Sequence, residues 1–184
     1  MSATEPATDP RPLTGEPVSL DLLNTRWMAE GGRQDLLADP DGLRIWLASN
    51  GLDGRFPAGA AALEHVLLAR EALAAAVDSP GDRAGIERVN AVLDHGRIRA
   101  TLTAEGPGEE AEFEDPSWGA AWTAARDYLD LLRAAPDRIR RCAHDACILH
   151  FFDISRNGTR RWCSMAACGN RAKASRHYAK TREA

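Results

Sequence analysis

Residues 138–184 read RIRRCAHDACILHFFDISRNGTRRWCSMAACGNRAKASRHYAKTREA, and this stretch holds every cysteine of the chain. Cys142 and Cys147 are separated by four residues, and so are Cys163 and Cys168, with fifteen residues between the two pairs. A short x4 spacing turns back on itself so that both thiolates of a pair reach one ion, and the loop carries the second pair opposite the first. Four thiolates at about 2.3 Å from zinc close its tetrahedral shell and leave no position for a reacting water. The spacing therefore predicts one structural zinc held by Cys142, Cys147, Cys163 and Cys168. An iron–sulfur cluster also takes four thiolates, but the polar and basic neighbours favour a simple ion. Two disulfides would use the same four residues, yet the N-terminus has no basic stretch and apolar core of a secretory signal, and thiols stay reduced in the cytosol. His144 and His150 are read as neighbours of the ion rather than ligands.

Outward from the cysteines, alternation through Ile148, His150 and Phe152 predicts a strand pairing back onto Arg138–Arg141. Asn157-Gly158 marks the tip of the next turn. After Cys168 the run to Thr181 contains good helix formers and no proline. Lys173, Arg176 and Lys180 share one stripe of that helix, with Arg171 and Arg182 beside it. Arg160 and Arg161 precede Cys163 on the same small module, and Arg156 adds to them. Residues 138–184 carry eleven Arg or Lys against three acids, whereas residues 1–137 carry 12 Arg against 24 acids. The overall charge of −4 thus hides a polarity of +8 against −12. A basic module attached to an acidic partner points to a polyanion, above all double-stranded DNA. Docking of the basic face on the acidic part is the competing expectation.

The acidic part reads as mainly helical. Helices are expected over Val18–Trp27 with Ser19 as N-cap, over Asp41–Asn50, over Ala58–Val77, and over Asp82–Asp94 with Ile86, Val89, Val92 and Leu93 inward. Ile98, Ala100 and Leu102 alternate with polar residues, which predicts a strand with its return at Ala111–Glu114 across Glu105–Gly108. Asp115-Pro116 opens a last helix bearing Trp118, Trp122, Ala125, Leu129 and Leu132 at helical spacing, closed by Pro136. The tryptophans are read as core, and Asp21, Asn24 and Thr25 as caps or satisfied buried polar groups. His65 and His95 are read as isolated surface or cap residues. No apolar run reaches the ~20 residues that cross a bilayer, so the chain is expected to be cytoplasmic and not membrane-bound.

Cys168-Gly169-Asn170-Arg171, with Arg160-Arg161-Trp162-Cys163 and the upstream Arg141-Cys142…Cys147…Phe152-Asp153-x-Ser155-Arg156-Asn157, resembles the CGNR-type zinc finger. LDLLNTRW (20–27) and DLLADPDGLRIWL (35–47) are similar to the ABATE domain of a proposed stress-induced transcription-regulator family. The resemblance implies a zinc-binding protein with a mixed α/β first domain and a transcriptional role. The expected organisation is a disordered tail over 1–15, an ABATE-like domain over 16–137 and the finger over 138–184. The fold class is α+β: a mainly helical domain with a small hairpin, then a zinc module made of a β-hairpin and a C-terminal helix. The chain lacks a phosphate-binding glycine loop and a Ser/His/Asp set, and the metal shell is full, so no enzymatic activity is expected. The leading reading is a DNA-binding regulator, acting as a homodimer or in response to a small-molecule effector on the first domain. A protein–protein adaptor using the module as a rigid docking surface is the alternative.

Overall fold

The computed structural model describes residues 8–171 and 173. Its first helix, α1 (Val18–Leu23), is almost wholly buried and ends at Asn24. Trp27 was expected at the end of this helix, but it lies in β1 (Arg26–Ala29), which pairs antiparallel with β2 (Gly32–Asp35). β2 opens straight after the Glu30-Gly31 turn on Gly32 at φ 105°, a backbone conformation that a side chain resists. This hairpin was not read from the sequence, although Gly31-Gly32 was its signal. Nor is Ser19 the cap of α1, since Pro17 stands there; the Ser19 hydroxyl donates to Asp127 Oδ2 at 2.6 Å instead.

A turn at Leu36–Ala38 leads into α2 (Pro40–Ser49), whose N-cap Asp39 accepts from the backbone N–H groups of Asp41 and Gly42. Only glycine fits at 42, because a Cβ there would lie 1.6 Å from the Leu36 carbonyl oxygen. Helix α3 (Ala60–Asp78) is the Ala/Leu-rich run, and its Val66, Ala69, Ala72, Leu73 and Ala76 form the centre of the core. Helix α4 (Arg83–Leu93) packs on α3 through Gly85, whose position lies 3.3 Å from the Ala75–Ala76 backbone as measured to an added Cβ. Val89 and Val92 face inward as expected, but Ile86 is 47% exposed. Asp82 caps α4 by accepting from Gly85 N at 3.0 Å. Asp82→Ala is expected to cost about 1 kcal/mol, the usual value of a lost N-cap, read from the denaturant midpoint.

The predicted hairpin is present and longer than the periodicity indicated: β3 (Gly96–Thr103) pairs with β4 (Gly106–Phe113). Its exposed face is a charge ladder in which Arg97 and Arg99 pair with Glu110 and Glu112. Helix α5 (Gly119–Ala134) follows a turn at Pro116–Trp118 capped by Asp115. Its buried face runs through Trp122, Ala125, Tyr128 and Leu131, so the lower half is rotated by one residue from the expected Leu129 and Leu132. Leu132 is exposed. Trp46 and Trp122 are core residues, and Trp27 and Trp118 are partly buried against it. His65 and His95 are not isolated: their rings stack on the two faces of Trp118 at 3.8 and 3.5 Å.

The described part of the expected tail is packed rather than loose. Arg11 is 6% exposed, pairs with Asp9 at 2.7 Å and reaches Asp21 Oδ1 at 2.6 Å. Leu13 packs against the cysteine cluster. A buried guanidinium is stable only with such partners, and two carboxylates supply them.

Candidate metal centre and its basic surroundings

After α5 the chain forms a second small hairpin, β5 (Ile139–Arg141) against β6 (His150–Phe152), as the alternation indicated. Cys142 leaves β5 and donates its N–H to Leu149 O at 2.9 Å, while Cys147 closes the first knuckle with its N–H on His144 O. The second knuckle is a π-type turn, Met165–Gly169. The Ser164 carbonyl accepts from both Cys168 N and Gly169 N, and the Ser164 hydroxyl accepts from Ala167 N. Ala143 N donates to Arg161 O, which ties one knuckle to the other.

This backbone brings all four thiols, each at most 7% exposed, to one point. Their sulfurs lie within 4.8 Å of one another and none is in a disulfide. Cys147 Sγ is 3.9 Å from Cys163 Sγ, which is 3.6 Å from Cys168 Sγ. A regular ZnS4 tetrahedron with bonds of about 2.3 Å has edges of about 3.8 Å. The donor set therefore fits one structural zinc ion. Electrostatics point the same way: the neighbouring thiols, Cys163 first, hold the Cys147 thiol down to about 5, while burial pushes Cys168 up to about 11. Cys163, whose proton is shared with Cys147 and which is itself buried, is also raised. With Cys147 ionised, Cys163 and Cys168 resist ionising in turn, and a divalent ion removes that resistance.

Around the sulfurs the positive groups divide into two sets. Arg160 is turned inward. Its guanidinium donates to the carbonyls of Trp162 and Cys163, pairs with Glu16 at 3.2 Å and lies over the Phe151 ring at 4.2 Å. Arg138 and Arg140 donate to loop carbonyls at Asp153, Ser155 and Gly158. Arg160, expected as an outward contact, is thus engaged by two carbonyls and a carboxylate while its side chain stays 26% exposed. Arg161 and Lys173 are exposed, the former lying 5.1 Å over the Trp162 ring. Arg171 is exposed but leans back, donating to Ala167 O at 3.0 Å and to Cys168 Sγ at 3.4 Å. Arg176, Lys180 and Arg182 lie outside the described residues.

The loop after β6 is held by Asp153, 1% exposed, whose carboxylate accepts from Ser155 N and Arg160 N. Those hydrogen bonds, the Ser155 one foremost, hold its pKa below the ordinary carboxylate value. The module also docks on the first unit. Asn24 Nδ2 donates to His150 O and His150 N donates to Asn24 Oδ1, both at 2.8 Å and both buried. Glu16 accepts from Phe152 N at 2.9 Å. Ile139 and Phe152 pack on the main core. Asp21, Asn24 and Thr25 are each fully buried and each hydrogen-bonded, as read from the sequence. Their partners were not legible, because Arg11, His150 and Arg70 are remote in the chain.

The family described as "CGNR zinc finger" matches residues 138–181, and the family described as "Putative stress-induced transcription regulator", the ABATE family, matches residues 16–135. The chain belongs to the ABATE family and carries a CGNR zinc finger. No curated protein shows significant similarity to it. The matched families are of regulator and zinc-finger type. Among the described residues of this ABATE-family chain, no helix is long and apolar enough to cross a membrane.

Proposed function

We propose that this protein is a cytoplasmic, non-enzymatic transcriptional regulator that uses its CGNR finger on duplex DNA. In this reading Cys142, Cys147, Cys163 and Cys168 are the four zinc ligands, and the ion is structural. The observation that carries the reading is the pair of exposed cations, Arg161 and Lys173, on a module whose rigidity comes from buried thiolates. Arg171 braces Cys168 and adds positive charge at the same edge. Arg176, Lys180 and Arg182 follow in the sequence and extend the positive run. Phosphate contacts need such fixed cations, while the acidic first unit is repelled by DNA and stays outside it. The adaptor reading draws support from a different observation: part of the module's surface is already spent on protein contact, through Asn24 and Glu16. That surface is the one facing the first unit, and among the described residues Arg161 and Lys173 make no ion pair with it.

Three to five phosphate contacts per finger predict a log–log salt slope of roughly −3 to −5. A finger with so few contacts binds weakly alone, and a homodimer presenting two copies supplies the missing affinity. Titration of random-sequence duplex at several salt concentrations tests this. Arg161→Ala with Lys173→Ala is expected to flatten the slope by about two units with zinc content unchanged. Arg160→Ala is expected to lower the module's stability and leave the slope near that of the wild type. An unchanged slope in the double variant removes these residues from the contact surface. Failure of the wild type to bind duplex DNA places the adaptor reading first.

A further inference from the structure

Two short hairpins, β1–β2 from the first unit and β5–β6 from the zinc module, face one another across a cavity of about 320 Å³. Each hairpin contributes a cross-strand pair to the wall: Met28 opposite Arg33 on one side, Arg141 opposite His150 on the other. Leu23, Ala74 and Ile148 supply apolar wall between them, and Arg26, Arg70 and Asp78 complete it. The size lies at the small end of ligand sites, which run from about 300 to 1,000 Å³, and the mixture of apolar wall and few polar groups is their usual composition.

Two buried polar side chains in this wall are short of partners. His150 is 7% exposed, and neither ring nitrogen makes a hydrogen bond; the nearest carboxylate oxygen, Asp78 Oδ1, is 3.5 Å from Nε2. Arg70, 2% exposed, spends its two terminal nitrogens on Asp35 and Thr25 but leaves Nε unpaired. Buried polar groups without partners are uncommon, and two in one cavity point to a ligand that completes them. Charge gives the sign. Arg26 and Arg70 are engaged by Asp35 and Glu71, whereas Arg33 and Arg141 are exposed and make no ion pair among the described residues. Four arginines against Asp35, Glu71 and Asp78 leave a local charge of +1.

We propose that this cavity binds a small organic carboxylate, its anion held between Arg33 and Arg141, its apolar body on Leu23, Ala74 and Ile148, and its edge within reach of His150. A net charge of +1 matches a monoanion better than a phosphate dianion, and a planar carboxylate suits guanidinium donors. Because the walls come from both units, an occupant ties the module to the first unit. In a regulator that is the position of an effector, a consequence that rests on the DNA reading; the binding itself does not.

The zinc-loaded full chain, free of DNA, is assayed by calorimetry and thermal unfolding with benzoate, hexanoate, benzamide and phenyl phosphate at millimolar concentration. Benzoate and hexanoate are expected to raise Tm by about 2–4 °C, and benzamide to leave it unchanged. Arg33→Ala with Arg141→Ala, both exposed and tolerant of change, is expected to weaken benzoate at least about tenfold. Nitrogen NMR of the wild type is expected to show the His150 ring and Arg70 Nε resonances moving with benzoate. No stabilisation by either carboxylate, equal binding of benzamide, or unchanged affinity in the double variant overturns the site. Tighter binding of phenyl phosphate overturns the carboxylate assignment. Since no DNA is present, failure of the DNA reading leaves each of these outcomes intact.

Discussion

Cys163→Ser is expected to unfold the zinc module from Arg138 onward and to release the metal. The serine hydroxyl is a poor ligand beside three thiolates, and structural zinc in small modules contributes about 10–16 kcal/mol of apparent binding free energy at neutral pH. The six residues of the cluster's own core, four of them cysteines, cannot replace that contribution. Elemental analysis is expected to give about one zinc per wild-type chain and a clear deficit in the variant. Limited proteolysis is expected to cut the variant within residues 142–168. The first unit stays folded around Trp46, Val66 and Leu73, but at lower stability, because Ile139 and Phe152 no longer cover its core. A chelated protein whose tail stays as protease-resistant as before shows that the metal is not structural.

Asn24→Ala is expected to have the next largest effect, and at a residue remote from any cysteine in the chain. Asn24 is fully buried and satisfies both the N–H and the carbonyl of His150. Alanine leaves two buried backbone groups without partners, at about 1–3 kcal/mol each, hence roughly 2–6 kcal/mol in all. The loss is expected as a shift of the denaturant midpoint for both units together, since the pair spans them. Zinc content stays near one equivalent, because no thiol moves. A variant that unfolds at the wild-type midpoint shows that the Asn24–His150 pair does not couple the units. The same substitution is also expected to open the cavity beside His150 to solvent, and faster amide exchange at residues 148–152 reads that directly.

The zinc site was legible in the sequence in nearly all its detail. Ligand spacing acts over a few residues, so Cys142–Cys147 and Cys163–Cys168 specify their own knuckles before any tertiary contact forms. The fifteen-residue loop between them needs only length enough to return. Helices α3, α4 and α5 were legible for a related reason: caps such as Asp82 and Asp115 and the breaks at Pro80-Gly81 and Pro136 are local signals. Even there the buried face of α5 drifted by a residue, from Leu129 and Leu132 to Tyr128 and Leu131, because the angle at which a helix meets its neighbours chooses among adjacent apolar positions.

What composition left open, the tertiary structure decided. Charge counting made all the cations of residues 138–184 equivalent, whereas folding turned Arg160, Arg138 and Arg140 inward onto carbonyls and left Arg161 and Lys173 outside. Trp27 left its helix because Asn24 and Thr25 are drawn into buried hydrogen bonds with His150 and Leu22, which ends α1 and starts β1. The expectation of a frayed tail failed at Arg11 because its partner Asp21 lies ten residues on, inside a helix. The cavity between the two hairpins has no signature in the chain at all. Its walls come from residues 23–33, 70–78 and 141–150, and only the packing of one unit against the other places them together. Local spacing determined the metal site; long-range pairing determined which side chains remain free to meet a partner.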